Sequence, residues 1–319
     1  MRRELFYGFV GFTLLFGLVS ACANKSKSGR TDTYSSGAIS FASDESFSPI
    51  IDEQIQVFES IYREAKLTPI YTSELDAVNM LMTDSIQLAI TSRNFTKEEL
   101  ENLKARNYLP VAIPLAYEGL SLIINRENTD SCISVKDIKR VLNGQAKTWG
   151  DIVPGSKRGD ILVVFDNKKS SAVHFCVDSL LGGKPINSPN IVAAMTSKEV
   201  VDYVEKTPNA IGIIGSNWLN DKRDTTNTTF KKNITVMSVS RMDSATYMNS
   251  WKPYQAYLLD GRYPLVRTIY ALLNDPIHGL PWGFAHFIES PKGQLIIFRS
   301  GLLPMRGDIT VRTVNVTDD

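Results

Sequence analysis

Between residues 37 and 105 short apolar runs alternate with helical patterns, three times in succession. "GAISFA" (37–42) has the length and composition of a buried strand. From Phe47 onward, Ile50, Ile51, Ile55, Phe58 and Ile61 recur at helical spacing. "LTPIYT" reads as the next strand. "SELDAVNMLMTD" reads as a helix with Ser73 at its N-cap and Leu75, Val78 and Met82 along one face. "IQLAITS" is a third strand. "FTKEELENLKAR" is a helix in which Thr96 caps and Glu99 follows three residues on, the capping-box spacing. A β-α-β-α-β-α order calls for a mostly parallel sheet with helices on its faces, so an α/β fold is expected.

Two extended runs, "YLPVAIPLA" (108–116) and "GLSLIINR" (119–126), then follow almost back to back. They break the alternation and mark a crossing between two lobes. A second α/β series comes next. It holds a helix around Val135 to Asn143, the strand "DILVVFD", a helix from Ser170, a helix around Ser197 to Glu205 and the strand "AIGIIGS". "LNDKRDTTNTTFKKN" is a polar surface loop. "YPLVRTIYALLN" reads as a strand, and "LPWGFAHFIESPKGQLIIFRSG" as a long helix interrupted near Pro291.

The start of the chain is of another kind. Arg2 and Arg3 precede an uncharged run, Leu5 to Ala21, of 17 residues. That is shorter than the roughly 20 apolar residues of a membrane span. Ser20 and Ala21 then precede Cys22, the layout of a secretory signal peptide over 1–21. "VSAC" resembles the bacterial lipobox, which implies a lipidated Cys22 as mature N-terminus. "ANKSKSGRTDTYSSG" has Tyr34 as its single large apolar side chain, so 22–36 reads as a flexible tether. Together these place the protein outside the cytoplasm, held to a membrane through Cys22. Ala23 stands where lipoproteins retained in the inner membrane carry aspartate, which favours the outer membrane.

Charge narrows the partners. The chain has 35 basic and 34 acidic residues; without Arg2, Arg3 and Glu4 the count is 33 against 33. No basic footprint marks nucleic acid, so any anion site must be local. Cys132 and Cys176 are either a disulfide or two thiols. No Cys/His spacing suggests a metal, and no cofactor is expected. His174, His278 and His286 form no metal pattern, and no nucleophile, base and orienter stand together, so an enzyme is not expected.

Ligands of an open parallel sheet bind beyond the carboxyl ends of its strands. Four such mouths are "SDESF", "SE" at Ser73, "TSRN" and "NKKSS", each with a serine close before a helical pattern. Each serine alone is an ordinary N-cap. Free amides at helix starts also suit an oxyanion, so four converging mouths make a candidate site.

The chain as a whole resembles the phosphate-binding family of periplasmic substrate-binding proteins, the receptors of phosphate ABC transporters. "ESFSPIIDEQIQVFE" looks like the family's first loop and helix, matched at Ser46 and Phe47. "LAITSRNFTKEEL" is similar to its small-Ser-Asp stretch. Gly144 and Trp149 match its Gly-x-x-x-x-Trp segment. Thr207, Pro208, Ala210, Ile211 and Gly212 match its Thr-Pro-Gly-Ala-Ile-Gly signature. The resemblance implies a two-lobed type II periplasmic-binding-protein fold with the ligand between lobes. The first lobe would span 37–117 and 252–319, the second 118–251. Phosphate or a related oxyanion, an ABC permease and a monomeric state are the corresponding expectations.

The departures fall on the ligand contacts. Where the family has Arg-x-x-Gly-Ser-Gly-Thr, this chain has Phe165 for the arginine and Lys168, Lys169, Ser170 and Ser171 for the rest. The family's Asp after the third strand is replaced where Ser92 is followed by Arg93. The expected contacts are then Ser46, Phe47, Ser73, Ser92, Ser170 and Ser171, with Arg93 as counter-charge and Lys168 or Lys169 as a further positive group. Asp44 and Glu45 oppose an anion unless it is protonated or they face water. The alternative is a sensor or receptor-like lipoprotein whose degenerate cleft takes another ligand or a protein partner.

Overall fold

The computed structural model describes residues 29–220 and 230–306. The signal peptide, Cys22, most of the tether and the middle of the polar loop lie outside them. Within these residues no helix is long and apolar enough to cross a membrane. At the end of the tether, Thr33–Ser36 form a turn, and the Tyr34 hydroxyl bonds His286 Nδ1 at 2.8 Å.

The expected first series is present. β1 (Gly37–Asp44) pairs in parallel with β2 (Ala65–Thr72) and β3 (Leu88–Thr91). Between them run α1 (Ser48–Ile61) and α2 (Glu74–Met82), and α3 (Lys97–Ala105) follows. Pro49 opens α1, where a missing N–H costs nothing, and Ile50, Ile51, Ile55 and Phe58 form its buried face. Ser73 caps α2, and Thr96 with Glu99 closes a complete capping box on α3.

The two runs at 108–126 are one strand, β4 (Val111–Asn125). They read as separate because Pro114 and the polar Tyr117-Glu118 interrupt the apolar pattern. Pro114 is accommodated beside a register shift against β11 (Val266–Leu273). Glu118 is accommodated by Arg267, its direct partner on β11. The first half of β4 pairs with β11, and the second half pairs with β8 (Ala210–Gly215), both antiparallel. One strand therefore carries the chain across both lobes. β6 (Leu162–Phe165) lies parallel between β8 and β7 (Ile191–Ala193), giving the sheet order β2-β1-β3-β11-β4-β8-β6-β7.

Each lobe has cores on both faces of its part of the sheet. In the first, Phe41, Phe58, Phe284 and Phe287 interlock at centroid separations of 5.3–5.5 Å, with Leu81, Leu103 and Leu272 on the opposite face. The long C-terminal helix is two, α9 (Leu280–Glu289) and α10 (Pro291–Arg299), parted at Ser290 and Pro291. In the second lobe Trp149, Phe165 and Ile213 share a core with Leu258, Tyr263 and Leu265. α7 (Ser197–Lys206) covers the other face. Gly212 lets it approach, since a Cβ there would meet Ile123, Val200 and Val204 at 2.8 Å. Cys132 and Cys176 are free, and burial pushes the Cys176 thiol up to about 12.

Glu118 and Arg267 are both buried, at the point where β4 leaves one lobe for the other. Removing one partner leaves an uncompensated buried charge. Glu118→Leu is therefore expected to cost about 3–5 kcal/mol, whereas Glu118→Leu with Arg267→Met recovers most of that loss. Urea unfolding of the two single variants and the double variant measures the coupling. Additive losses would show that the pair is not a unit.

Candidate functional site

The site begins where β1 ends. Asp44 Oδ1 accepts the Ser46 amide at 2.8 Å and so caps the turn Glu45–Phe47 that leads into α1. Ser46 and Phe47 are buried. Ser46 O is held from the second lobe by Trp218 Nε1 and Asn217 Nδ2, each at 2.9 Å. Across the interface, β6 ends in Asp166. Ser170 then caps the short helix α6 (Ser171–Phe175), which passes into a π-helical turn.

These two turns meet. Ser46 Oγ and Ser171 Oγ are 3.2 Å apart. Arg267 Nη1 donates to Ser171 Oγ at 2.7 Å, and its Nη2 to Ser46 Oγ at 3.3 Å. Nε and Nη2 of the same guanidinium donate to Glu118 Oε2 at 2.9 and 2.7 Å. The Phe47 ring lies 4.9 Å from the guanidinium carbon. Asp44 Oδ2 accepts the Ser171 amide at 3.1 Å, so one carboxylate takes amides from both lobes.

Three further carboxylates of the first lobe reach across. Glu45 Oε2 accepts the amide and hydroxyl of Ser197 at 3.0 and 2.8 Å. Glu74 Oε1 accepts the amide and hydroxyl of Ser92 at 2.6 and 2.8 Å, and its Oε2 meets His174 Nδ1 at 2.7 Å. Asp76 meets Lys169 Nζ at 3.2 Å on the exposed rim. An exposed pair of this kind contributes at most about 1 kcal/mol.

Of the residues singled out in the sequence, Ser46, Phe47 and Ser171 come together. Ser170 is buried beside them as an N-cap. Ser73 caps α2 by accepting the Asp76 amide, and Ser92 is turned to Glu74. Neither Ser46 nor Ser92 is an N-cap; Phe47 and Thr96 hold those positions. Arg93 forms a two-pronged pair with Glu99 at 2.7 and 2.8 Å, so its charge is met by the helix that follows it. Lys168 is exposed, and Lys169 is spent on Asp76. Arg267 stands where Arg93 was expected. Its signal was available: one arginine inside an otherwise apolar strand, "YPLVRTIYALL".

The electrostatics are unusual for an anion site. Glu118, Asp44 and Glu74 act on Arg267, and Glu45 and Asp166 lie beside Asp44. Burial first, then the neighbouring Glu74, pushes the Asp44 carboxyl up, against the pull of Ser46 and Arg267. Burial also raises Glu45. Burial opposes ionisation of Glu74, but His174 and Ser92 outweigh it and hold the carboxyl low. The same bond raises His174. Neither carboxylate oxygen of buried Asp166 makes a regular hydrogen bond, and burial, then Asp44, push it up to about 7 against weaker pulls from Ser170 and the Asn167 amide. Among the described residues no cluster of His, Cys, Asp and Glu suits a metal ion.

Asp166 makes stability depend on pH. Its folded value lies above the ordinary 3.8, so the folded state binds the proton more tightly. That contribution is full below the ordinary value and is lost as pH rises through about 7. The swing is on the order of 4 kcal/mol. Asp166→Asn is expected to flatten the fall in stability between about pH 4 and about pH 7. Urea midpoints across that range test it; an unchanged slope would show that Asp166 does not titrate there.

A PBP superfamily domain matches residues 28–292. The phosphate-binding protein PstS of Borreliella burgdorferi is 24% identical over 277 residues, covering 84% of this chain and 90% of that protein. The PstS of Pseudomonas aeruginosa is 19% identical over 295 residues, covering 88% and 86%. An ABC-type phosphate transport receptor from Vibrio cholerae superposes with a TM-score of 0.62 at 17% identity, covering 84% of this chain and all of that one. The architecture is thus the two-lobed fold of these receptors, and the chain belongs to the PBP superfamily.

Proposed function

We propose that this chain is an extracytoplasmic, lipid-anchored solute-binding protein that captures phosphate or a related oxyanion between its lobes for an ABC transporter. The observation that carries this reading is the convergence of donors. Two amides and two hydroxyls, those of Ser46 and Ser171, gather beside the Arg267 guanidinium. Both amides are already directed at a carboxylate. Amides, hydroxyls and a planar guanidinium are the donor set that suits an oxyanion. The donors come from the turn after β1, from α6 and from β11, so a bound anion would tie the lobes together. The named relatives bind phosphate or serve its transport, which supports phosphate over other anions. The lobes are taken as 37–117 with 252–319, and 118–251, the stretch 252–265 also lending side chains to the second core. Ser171 faces Arg267 and Ser46 rather than a base, which favours binding over catalysis.

The excess of buried carboxylates favours a second reading: a receptor-like lipoprotein whose cleft takes a different ligand or a protein partner. Calorimetry separates the two. Phosphate is expected to bind the purified protein, and Arg267→Lys, which keeps the charge but loses the fork, to weaken binding by about 10–100-fold. Silence towards phosphate, sulfate and small carboxylates from folded protein would leave the second reading. For the anchor, mass spectrometry of the membrane fraction is expected to find an acylated N-terminal Cys22 peptide. Recovery of an uncleaved leader would remove the lipoprotein assignment.

A further inference from the structure

The donors that suit an oxyanion are not waiting for one. The Ser46 amide, from the first lobe, donates to Asp44 Oδ1 at 2.8 Å; the Ser171 amide, from the second, donates to Asp44 Oδ2 at 3.1 Å. Asp44 is 1% exposed. Its carboxylate thus bridges the two lobes, as a captured oxyanion would. We propose that Asp44 is an internal ligand: its carboxylate holds the cradle formed by Ser46, Ser171 and Arg267, and an external oxyanion enters only by displacing it.

Two independent features support this. The first is that the lobes are tied to each other by several side-chain contacts. Glu45 on Ser197, Glu74 on His174 and Asp76 on Lys169 repeat the pattern, each a first-lobe carboxylate on a second-lobe donor. The lobes are latched by side chains of this chain. The second is Asp166, buried beside Asp44 with neither carboxylate oxygen in a regular hydrogen bond. An incoming anion therefore meets amides already taken by Asp44 and a buried carboxyl beside them, rather than a vacant positive pocket. Displacing Asp44 relieves that crowding, because the carboxylate leaves as the solute arrives.

The inference rests on the oxyanion reading of the cradle, and its consequence is arithmetic. A site that is competent for only a fraction of the time shows an affinity reduced by that fraction. If Asp44 holds the cradle more than nine-tenths of the time, deleting its carboxylate tightens binding by about tenfold or more.

The test compares the wild type with Asp44→Gly, titrating phosphate by calorimetry and following thermal stability in excess formate. Asp44→Gly is expected to bind phosphate about tenfold or more tightly than wild type. Formate, a free carboxylate of the deleted shape, is expected to raise the melting temperature of the variant and leave the wild type unmoved. Should Asp44→Gly fail to fold, Asp44→Asn keeps one acceptor for the Ser46 turn and is expected to show the same changes, reduced in size. Equal or weaker phosphate binding by the variants would overturn the proposal, because Asp44 would then assist the anion or merely cap its turn. Rescue by formate without phosphate binding by any form would uphold the internal ligand and defeat the phosphate reading instead. Absence of both responses would defeat the internal ligand.

Discussion

The molecule is organised around one buried ion pair. Arg267 on β11 lies directly opposite Glu118 on β4, and both are nearly inaccessible. Desolvating two charges costs about as much as their attraction returns, so the pair is a poor source of stability. Its value is positional. A one-residue slip of β11 against β4 would turn Arg267 to the other face and strand Glu118. Fixed register aims the guanidinium at Ser46 and Ser171. β4 is also the strand that continues into the second lobe. Gly215 on β8 leaves the space that the Glu118 carboxylate fills; a Cβ there would overlap it.

From that pair the charge distribution follows. Glu118 takes two of the guanidinium's donors, so a single arginine offers less than its full charge to anything in the cleft. Burial raises Arg267's dependence on Glu118 and Asp44, which together outweigh the cost of desolvating it and keep it charged. The carboxylates of Asp44, Glu45 and Glu74 are held by amides, hydroxyls and His174, and Asp76 on the rim by Lys169. A carboxylate satisfied by two donors is tolerable in a protein interior; an unpaired one is not. Asp166, without a regular hydrogen bond to either oxygen, is pushed toward its protonated form by burial and by Asp44.

Much of this fold is legible in the amino-acid order because its signals are local. The helical spacing from Ile50 to Phe58, the cap at Ser73 and the box at Thr96 and Glu99 each involve residues within one or two turns, and each is found as written. The site is less legible because its partners are distant in sequence. Arg93 follows a strand mouth, where a counter-charge is expected, yet Glu99 lies six residues away and captures it first. Arg267 sits 96 residues from Ser171 and 221 from Ser46, and only the antiparallel return of β11 brings it there. The same holds for β4, whose polar interruption at Glu118 makes sense once Arg267 is opposite.

The fold's strand mouths thus present hydrogen-bond donors whatever the ligand, because chain turns at the ends of β1 and β6 expose amides by construction. With glycines in the turn after β6, backbone can approach a free anion closely. Here serines and lysines stand in that turn, and an aspartate one residue beyond the core of β1 supplies the acceptor. The short reach of Asp44 matters: a carboxylate on the residue that ends β1 spans to the next turn of its own chain and to Ser171 at once. A longer side chain at that position would lose more rotamer entropy in holding the same geometry. The residue at that strand end, Asp44, takes the amides of both turns, so those donors hold a carboxylate of this chain.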